Sequence, residues 1–423
     1  MKNLLIISPY FPPIGGSGVF RLFRWVKYLP EFGIRPIVVH YHQLPGEPEA
    51  PELLSELSEE VVRYPVFFLE FSGRGFRSLL KKKSQSSGQE MRALPGSQGF
   101  FLRSLSWVRD RLLVPDLSLS WLFPLIPRLR KLVQEYQPEV VLSTYSPGAS
   151  HLAGLYLKSR FGHKWIADFR DLWTDAPQEK PLFWGLRHLD QFLERQTLKR
   201  ADLVIGYSKG LLEILARKVQ KENQDKFIVL GPALEEKKFD QIPPAEEQFD
   251  LIYTGYLTDA YPWQVFDYLY EINQGRRKSS EREIKVGMAG KVSFNILKRF
   301  QEFERAGWFK YLGYLSHPET LSLLKSSRGL LLLHPFYDWW VPGKVAEYLY
   351  SKKPILAVVG EGDLKEILRG YPGVVFAKKE PESFKKALSK VLALGEQERV
   401  LPKEFTARGQ AEIIAEKVNQ LWE

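Results

Sequence analysis

The run Gly343-Lys344-Val345-Ala346-Glu347, followed at Ile355-Leu356-Ala357 by an apolar segment, has residue types and spacing that suit a nucleotide. Glycine frees the backbone to turn. A cation and an acid three residues apart fall on one face of a helix, and the exposed N–H groups at a helix start attract phosphate. Lys344 is therefore expected to face phosphate, and Glu347 the ribose hydroxyls. The alternative for these two residues is an amphipathic helix carrying a surface Lys–Glu pair.

Other groups that could do chemistry also come directly after apolar runs. In open α/β sheets, ligands bind beyond the C-terminal ends of the strands, so these are the positions that matter. The run Leu4–Ile7 leads into Ser8-Pro9-Tyr10-Phe11-Pro12-Pro13-Ile14-Gly15-Gly16-Ser17-Gly18, a glycine cluster that opens a helix without matching G-x-G-x-x-G. After Trp165-Ile166-Ala167 comes a burst of charge, with Asp168, Arg170 and Asp171. Such charges either pair with one another, as Asp168 with Arg170, or face a wet cleft, because burying them singly costs several kcal/mol. Tyr253-Thr254-Gly255-Tyr256-Leu257 and Ala289-Gly290-Lys291 complete the set; either could be a bare turn.

The elements that must hold these groups read as two successive alternations of short apolar strands and amphipathic helices. At 423 residues, two domains are the default. The first alternation predicts strands at Leu4–Ile7, Pro36–Val39, Val140–Leu142, Trp165–Ala167 and Leu203–Ile205, with a helix from about Val19 to Pro30. Around Gly231 to Phe249 the sequence turns polar, with Pro243-Pro244, and the boundary is placed there. The second predicts Leu251–Tyr253, a helix through Tyr261–Asn273, Ile284–Ala289, Leu330–Leu333, the Lys344–Tyr350 helix and Ile355–Val359. Continuous apolar strands imply burial on both faces, hence parallel sheets. A last helix, Ala407–Trp422, carries Ile413, Ile414, Val418 and Leu421 at helical spacing.

Composition excludes several classes. There is no cysteine, so disulfides and thiolate chemistry are absent, and the seven histidines lack ligand spacing, so no metal is expected. No apolar run approaches the roughly 18 residues of a membrane span, and none at the start suits a signal peptide, so a cytoplasmic location is expected. The net charge of +10 is concentrated: Arg74–Lys131 holds twelve Lys/Arg against Glu90, Asp110 and Asp116. Its cations alternate with apolar and aromatic residues. Lys81, Lys82, Lys83, Arg103, Trp107 and Arg109, together with Trp121-Leu122-Phe123, are expected to meet an anionic membrane face. No nucleic-acid reading motif accompanies the charge, and no nucleic-acid partner is expected.

The order of these motifs resembles the family 4 glycosyltransferases of the GT-B fold. The pieces that carry it are the Pro12–Gly18 loop, Ser146-Pro147 with Trp165–Thr174, Arg200–Gly210, Tyr253–Leu257, Gly313–Leu324 and Gly343–Ala357, spanning nearly the whole chain. The resemblance implies an α/β protein of two Rossmann-like domains facing a central cleft, with a last helix crossing back to the first domain. Residues 1–235 would bind the acceptor, 236–405 the nucleotide-sugar donor, and 406–423 would form that helix. It implies transfer of a hexosyl group, with retention, from a nucleotide-diphosphate sugar to a glycan or polyprenyl-linked acceptor, in bacterial polysaccharide or glycolipid biosynthesis. The enzyme would lie peripherally on the inner face of the cell membrane and need no cofactor. Gly15, Gly16, Gly255, Lys291, Gly343, Lys344 and Glu347 would serve the donor, and Asp168, Arg170 and Asp171 the chemistry at the acceptor. Two departures stand out. Trp339 falls where the family often has a first glutamate, and Tyr256–Gln264 contains no arginine or lysine to neutralise a diphosphate. A GT-B epimerase, a non-catalytic partner subunit and a pyridoxal-phosphate phosphorylase are the competing classes.

Overall fold

Parallel strands dominate the computed structural model, which describes residues 1–42, 49–67, 113–176, 184–220, 225–335 and 337–423. Strands β1 (Lys2–Ile7), β2 (Ile34–Tyr41), β3 (Val62–Val66), β4 (Val140–Tyr145), β5 (Lys164–Phe169), β6 (Leu203–Gly206) and β7 (Phe227–Val229) form one sheet in the order β3-β2-β1-β4-β5-β6-β7. Strands β8 (Leu251–Thr254), β9 (Val286–Ala289), β10 (Phe309–Gly313), β11 (Gly329–Leu333), β12 (Ile355–Val358) and β13 (Val374–Phe376) form the other, in the order β10-β9-β8-β11-β12-β13. In each sheet the chain starts in the middle, builds outward, then returns to the other side of its first strand. The crevices beside β1 and β4, and beside β8 and β11, are thus the switch points at which doubly wound sheets bind ligands.

The chain forms two compact units. Unit 1 comprises Met1–Tyr207, Leu211–Leu230 and Arg408–Glu423; unit 2 comprises Ser208–Gly210 and Gly231–Ala407.

Unit 1 is organised around β1, whose Leu4–Ile7 are fully buried between β2 and β4, with Leu5 opposite both Ile37 and Val141. The first helix, α1 (Ser17–Tyr28), buries Val19, Leu22, Phe23 and Val26 at helical spacing. The last helix, Ala407–Trp422, buries Ala411, Ile414, Ala415 and Val418, and its Gln410 Oε1 accepts a 2.8 Å hydrogen bond from Trp25 Nε1 of α1. That bond satisfies a buried indole N–H and sets the register between the two helices.

In unit 2, β8, β9, β11 and β12 are buried along their whole length, with Phe266, Phe300 and Phe303 on one side and Tyr348, Leu349 and Leu324 on the other. The helix expected over Tyr261–Asn273 lies further along, at Val265–Lys278. The helix after Gly343 is short, Val345–Tyr350.

Candidate functional site

In unit 2, three glycines terminate three adjacent strands. Gly255, Gly290 and Gly313 follow or end β8, β9 and β10 with φ of 119°, 134° and 68°, angles open to glycine and rare for other residues. They are locked together, with Gly255 N–H donating to Ala289 O (2.8 Å) and Gly290 N–H to Gly313 O (2.6 Å). At Gly290 the packing leaves no room for a side chain: a Cβ there would stand 2.0 Å from Gly255 O. This flat glycine floor exposes Gly255 at the switch point.

Lys344 reaches the same place. Its ammonium donates to Thr254 O at 2.7 Å and lies 3.8 Å from the centroid of the Tyr253 ring and 5.5 Å from that of Tyr348. Burial pushes its pKa down to about 7, while the electron-rich faces of the two rings favour the cation. Tyr348 O–H in turn meets Thr254 Oγ1 at 3.1 Å, and Tyr253 O–H donates to Tyr256 O at 2.9 Å, so the rings that cradle the lysine also shape the turn at Gly255.

Glu347, three residues on, accepts from His317 Nε2 at 2.8 Å. His317 opens the helix His317–Ser326, where Ser316 and Glu319 form a capping box that fixes the ring's position. Gly343 is exposed beside this pair. Lys291 is exposed after β9, with its ammonium 5.5 Å from the Tyr314 ring centroid. The structure thus brings Lys344 to the end of β8 beside Gly255, sets Glu347 against His317, and leaves Gly343 and Lys291 exposed. Lys344 and Glu347 are not paired with each other as a surface Lys–Glu pair would be.

At the switch point of unit 1 the arrangement differs from the expectation. Asp168 is fully buried and pairs with Arg21, not Arg170: Arg21 Nη2 lies 2.8 Å from Asp168 Oδ1, and Thr144 Oγ1 donates to Oδ2 at 2.8 Å. Arg21 also donates to Leu230 O at 2.6 Å and packs on the Trp25 ring at 4.3 Å. Asp168 therefore anchors α1 to β5 and presents no surface to an acceptor. Arg170 spends its guanidinium on carbonyl oxygens, donating to Tyr145 O at 2.9 Å, Ser146 O at 2.8 Å and Gly18 O, and so ties the first turn of α1 to the end of β4. Backbone carbonyls rather than a phosphate satisfy it. Gly15 is buried; Gly16, at φ 97°, supplies the turn that starts α1. Asp171 alone of the three expected reactive residues has an exposed side chain, and local desolvation raises its pKa against the lowering effect of Arg170.

Arg21 and His317 are the two residues that sequence reading missed. Arg21 sits among the apolar positions of α1 and carries no motif, and His317 stands apart from the other histidines with no ligand spacing to mark it. Among the described residues no group of three or more His, Asp or Glu could hold a metal ion. Of the expected membrane-contact residues, Lys81, Lys82, Lys83, Arg103, Trp107 and Arg109 lie outside the described residues. Trp121, expected at that interface, is instead fully buried, edge-on to Tyr41 at 4.8 Å, because its indole completes the core beneath β2. Phe123 is exposed. No helix among the described residues is long and apolar enough to cross a membrane.

Two doubly wound parallel sheets, with a lysine, a glutamate and a glycine floor at the switch point of the second, define a protein of the GT-B class. The chain belongs to the glycosyl transferase 4-like domain family, whose match covers residues 15–229, just over half its length. No curated protein matches it. Among solved structures it is similar to a sucrose-phosphate synthase from Thermosynechococcus elongatus, at 13% identity and a TM-score of 0.59 over 100% of this chain and 98% of that one. It is also similar to a UDP-GlcNAc 2-epimerase from Methanocaldococcus jannaschii, with 12% identity, TM-score 0.55 and coverage of 99% and 100%. Anabaena HepE, solved in complex with UDP, matches at 12% identity and TM-score 0.52 over 100% and 97%. These likenesses are in the fold.

Proposed function

We propose that this chain transfers a hexosyl group from a nucleotide-diphosphate sugar to a glycan or polyprenyl-linked acceptor, with retention of configuration, in bacterial polysaccharide or glycolipid synthesis. The observation that carries the reading is the placement of Lys344 beside Gly255 at the unit 2 switch point, with Glu347 three residues on along the chain. One supplies a cation within reach of a diphosphate, the other a carboxylate for ribose hydroxyls.

In the reaction the bond between the anomeric carbon and the diphosphate oxygen breaks, and the acceptor oxygen bonds to the same face of that carbon. The acceptor proton passes to the departing diphosphate. Lys344 offsets the charge that develops on the leaving group. Lys291 and the backbone at Gly255 and Gly343 line the donor position. Asp171, an exposed carboxylate of unit 1, is assigned to orienting the acceptor hydroxyl; Asp168 and Arg170 hold the start of α1 against β4 and β5, with Gly15 and Gly16 shaping the turn before it. The chain contains no Asp-x-Asp triplet, so turnover is expected to survive EDTA. The basic segment Arg74–Lys131 is assigned to the inner face of the cell membrane, where a lipid-linked acceptor would be met.

A second reading, a non-catalytic partner subunit, is favoured by Trp339 and by the absence of arginine or lysine in Tyr256–Gln264. One screen separates them. UDP-, GDP-, ADP- and dTDP-sugars are tested for thermal stabilisation and slow hydrolysis; a true donor at 100 times its Kd adds about 2.7 kcal/mol. If none binds and none is hydrolysed, the partner-subunit reading replaces the enzyme.

A further inference from the structure

Every exposed aromatic residue among the described residues of unit 2 lies just past the C-terminal end of a strand. Tyr256 follows β8 and is 59% exposed, Phe294 follows β9 at 69%, Tyr314 follows β10 at 74%, and Tyr337 follows β11 at 40%. These four strands are consecutive in the sheet, β10-β9-β8-β11. The two loops that carry Tyr256 and Phe294 are bonded to one another: Leu257 N–H donates to Lys291 O at 2.9 Å, and Ser293 N–H to Leu257 O at 3.0 Å. Half-buried Tyr261 bridges the row, its phenol pushed up to about 12 by burial and then by Tyr256 and Tyr337. Tyr337 stacks on Trp339 with ring centroids 6.2 Å apart. At the other end, Lys291 stands 5.5 Å from the Tyr314 ring and Lys298 4.6 Å from the Phe294 ring. Both lysines are exposed, and neither forms an ion pair among the described residues.

We infer that this edge is a carbohydrate-binding ledge, fitted to an acidic oligosaccharide that stacks its sugar rings on Tyr256, Phe294, Tyr314 and Tyr337 and places its carboxylates or phosphates against Lys291 and Lys298. The inference deepens the glycosyltransferase reading and rests on it for the ledge's purpose. Aromatic faces are electron-rich and attract the slightly positive C–H face of a pyranose, while the phenol groups bond its hydroxyls. At roughly 4.8 Å between neighbouring strands, four strand ends span about 14 Å, longer than a nucleobase and suited to several linked sugars. The exposed apolar side chains here are all aromatic; the exposed aliphatic residues of the unit, Leu394 and Val400, belong to other segments. Hydrocarbon insertion would favour such aliphatic groups. Tyr256–Gln264 contains no arginine or lysine but carries Tyr256, Tyr261 and Trp263, and the ligand's sugars are gripped by stacking.

The test uses the full chain and the double variant Phe294→Ala/Tyr314→Ala, both surface positions, with Lys298→Ala as a charge control. Tetragalacturonate and a hyaluronan tetrasaccharide are titrated by calorimetry, with maltotetraose as the neutral counterpart. The ledge requires that an acidic probe bind more tightly than the neutral one, that the double variant weaken it about tenfold or more, and that Lys298→Ala reduce only the acidic preference. Nucleotide-sugar stabilisation is to stay unchanged in all variants. A wild-type chain that binds nucleotide sugar but neither acidic probe, or a double variant with unaltered affinity, overturns the ledge and leaves the transferase reading standing. Loss of vesicle binding in the double variant, with phosphatidylglycerol vesicles and no oligosaccharide binding, overturns it in favour of a lipid surface.

Discussion

Lys344 Nζ lies 2.7 Å from the carbonyl oxygen of Thr254, the last residue of β8, with the Tyr253 ring beneath it. A lysine held this way has one strong acceptor and little water, and its charge waits on an anion.

The first prediction follows from that poise. Burial sets the Lys344 pKa at about 7, so the free protein loses this charge as pH rises through 7, and a bound diphosphate restores it. Binding at pH 8 should take up a proton, and affinity should fall by up to about tenfold per pH unit between the free and bound pKa values. Calorimetry in buffers of different ionisation enthalpy reads the uptake, and Lys344→Met should abolish it. For stability the sign is opposite. The unfolded lysine holds its proton up to its ordinary 10.5, so this group's contribution rises as pH climbs from about 7 to 10.5 and is flat below.

Glu347 and Lys344 should separate by ligand. Glu347→Ala should weaken a nucleoside and its diphosphate alike, whereas Lys344→Ala should weaken mainly the diphosphate. A hydrogen bond to a charged group contributes roughly 1.5–3 kcal/mol, so losses of about tenfold to a hundredfold are expected. His317→Ala should have the smaller effect of loosening Glu347, with partial recovery in His317→Gln. Equal affinity in wild type, Lys344→Ala and Glu347→Ala would remove both residues from the site.

The pair Arg21–Asp168 should matter to folding before chemistry. Breaking a buried ion pair by removing one partner costs about 3–5 kcal/mol. Arg21→Ala and Asp168→Ala should each lower the denaturation midpoint, with a double variant less damaged than the sum of the two. Additive losses in the cycle would show that the two side chains act independently.

Gly290→Ala should disable the unit 2 site without touching a ligand-facing side chain. Its Cβ would collide with Gly255 O, and its φ of 134° is strained for alanine. The turn at Gly255 must shift, carrying the Lys344 cradle with it. The expected result is lost nucleotide-sugar stabilisation and a lowered midpoint; Gly275→Ala, in an open helical position, should leave binding as it was.

Much of the frame could be read in advance because it rests on local pattern. Strands buried on both faces, such as Leu251–Thr254 and Leu330–Leu333, read as apolar runs, and their parallel pairing follows. The same logic put Gly255 at a strand end, while Lys344 and Glu347 were legible from their three-residue spacing at the start of a helix. Partner choice was less legible. Asp168 sits 147 residues from Arg21, and nothing in either neighbourhood says that Arg21 outcompetes the adjacent Arg170; the chain path does, by turning Arg170 toward the carbonyls of Tyr145 and Ser146. His317 lies 30 residues from Glu347 and meets it because the helix that it opens carries the chain from β10 back across the sheet to β11. Trp121 looked amphipathic beside Leu122 and Phe123, yet only Phe123 stays outside.

The helix that contributes Gln410 to Trp25 has a consequence for synthesis. Unit 1 takes its final segment, Arg408–Glu423, from beyond unit 2, so a ribosome that has finished Leu230 has not yet made the cover for α1. The indole of Trp25 and the apolar face around Val26 must wait until nearly the whole chain has emerged. Unit 2 shortens that wait geometrically: Leu234 N–H donates to Phe405 O at 3.0 Å and Ala407 N–H to Leu234 O at 2.8 Å, so its two ends are stitched side by side. Once the inserted unit folds, the last helix is released close to where the chain departed, and the entropy of closing so long a loop has already been spent. A chain truncated after Ala407 should therefore show a protease-resistant unit 2 beside an incompletely protected unit 1.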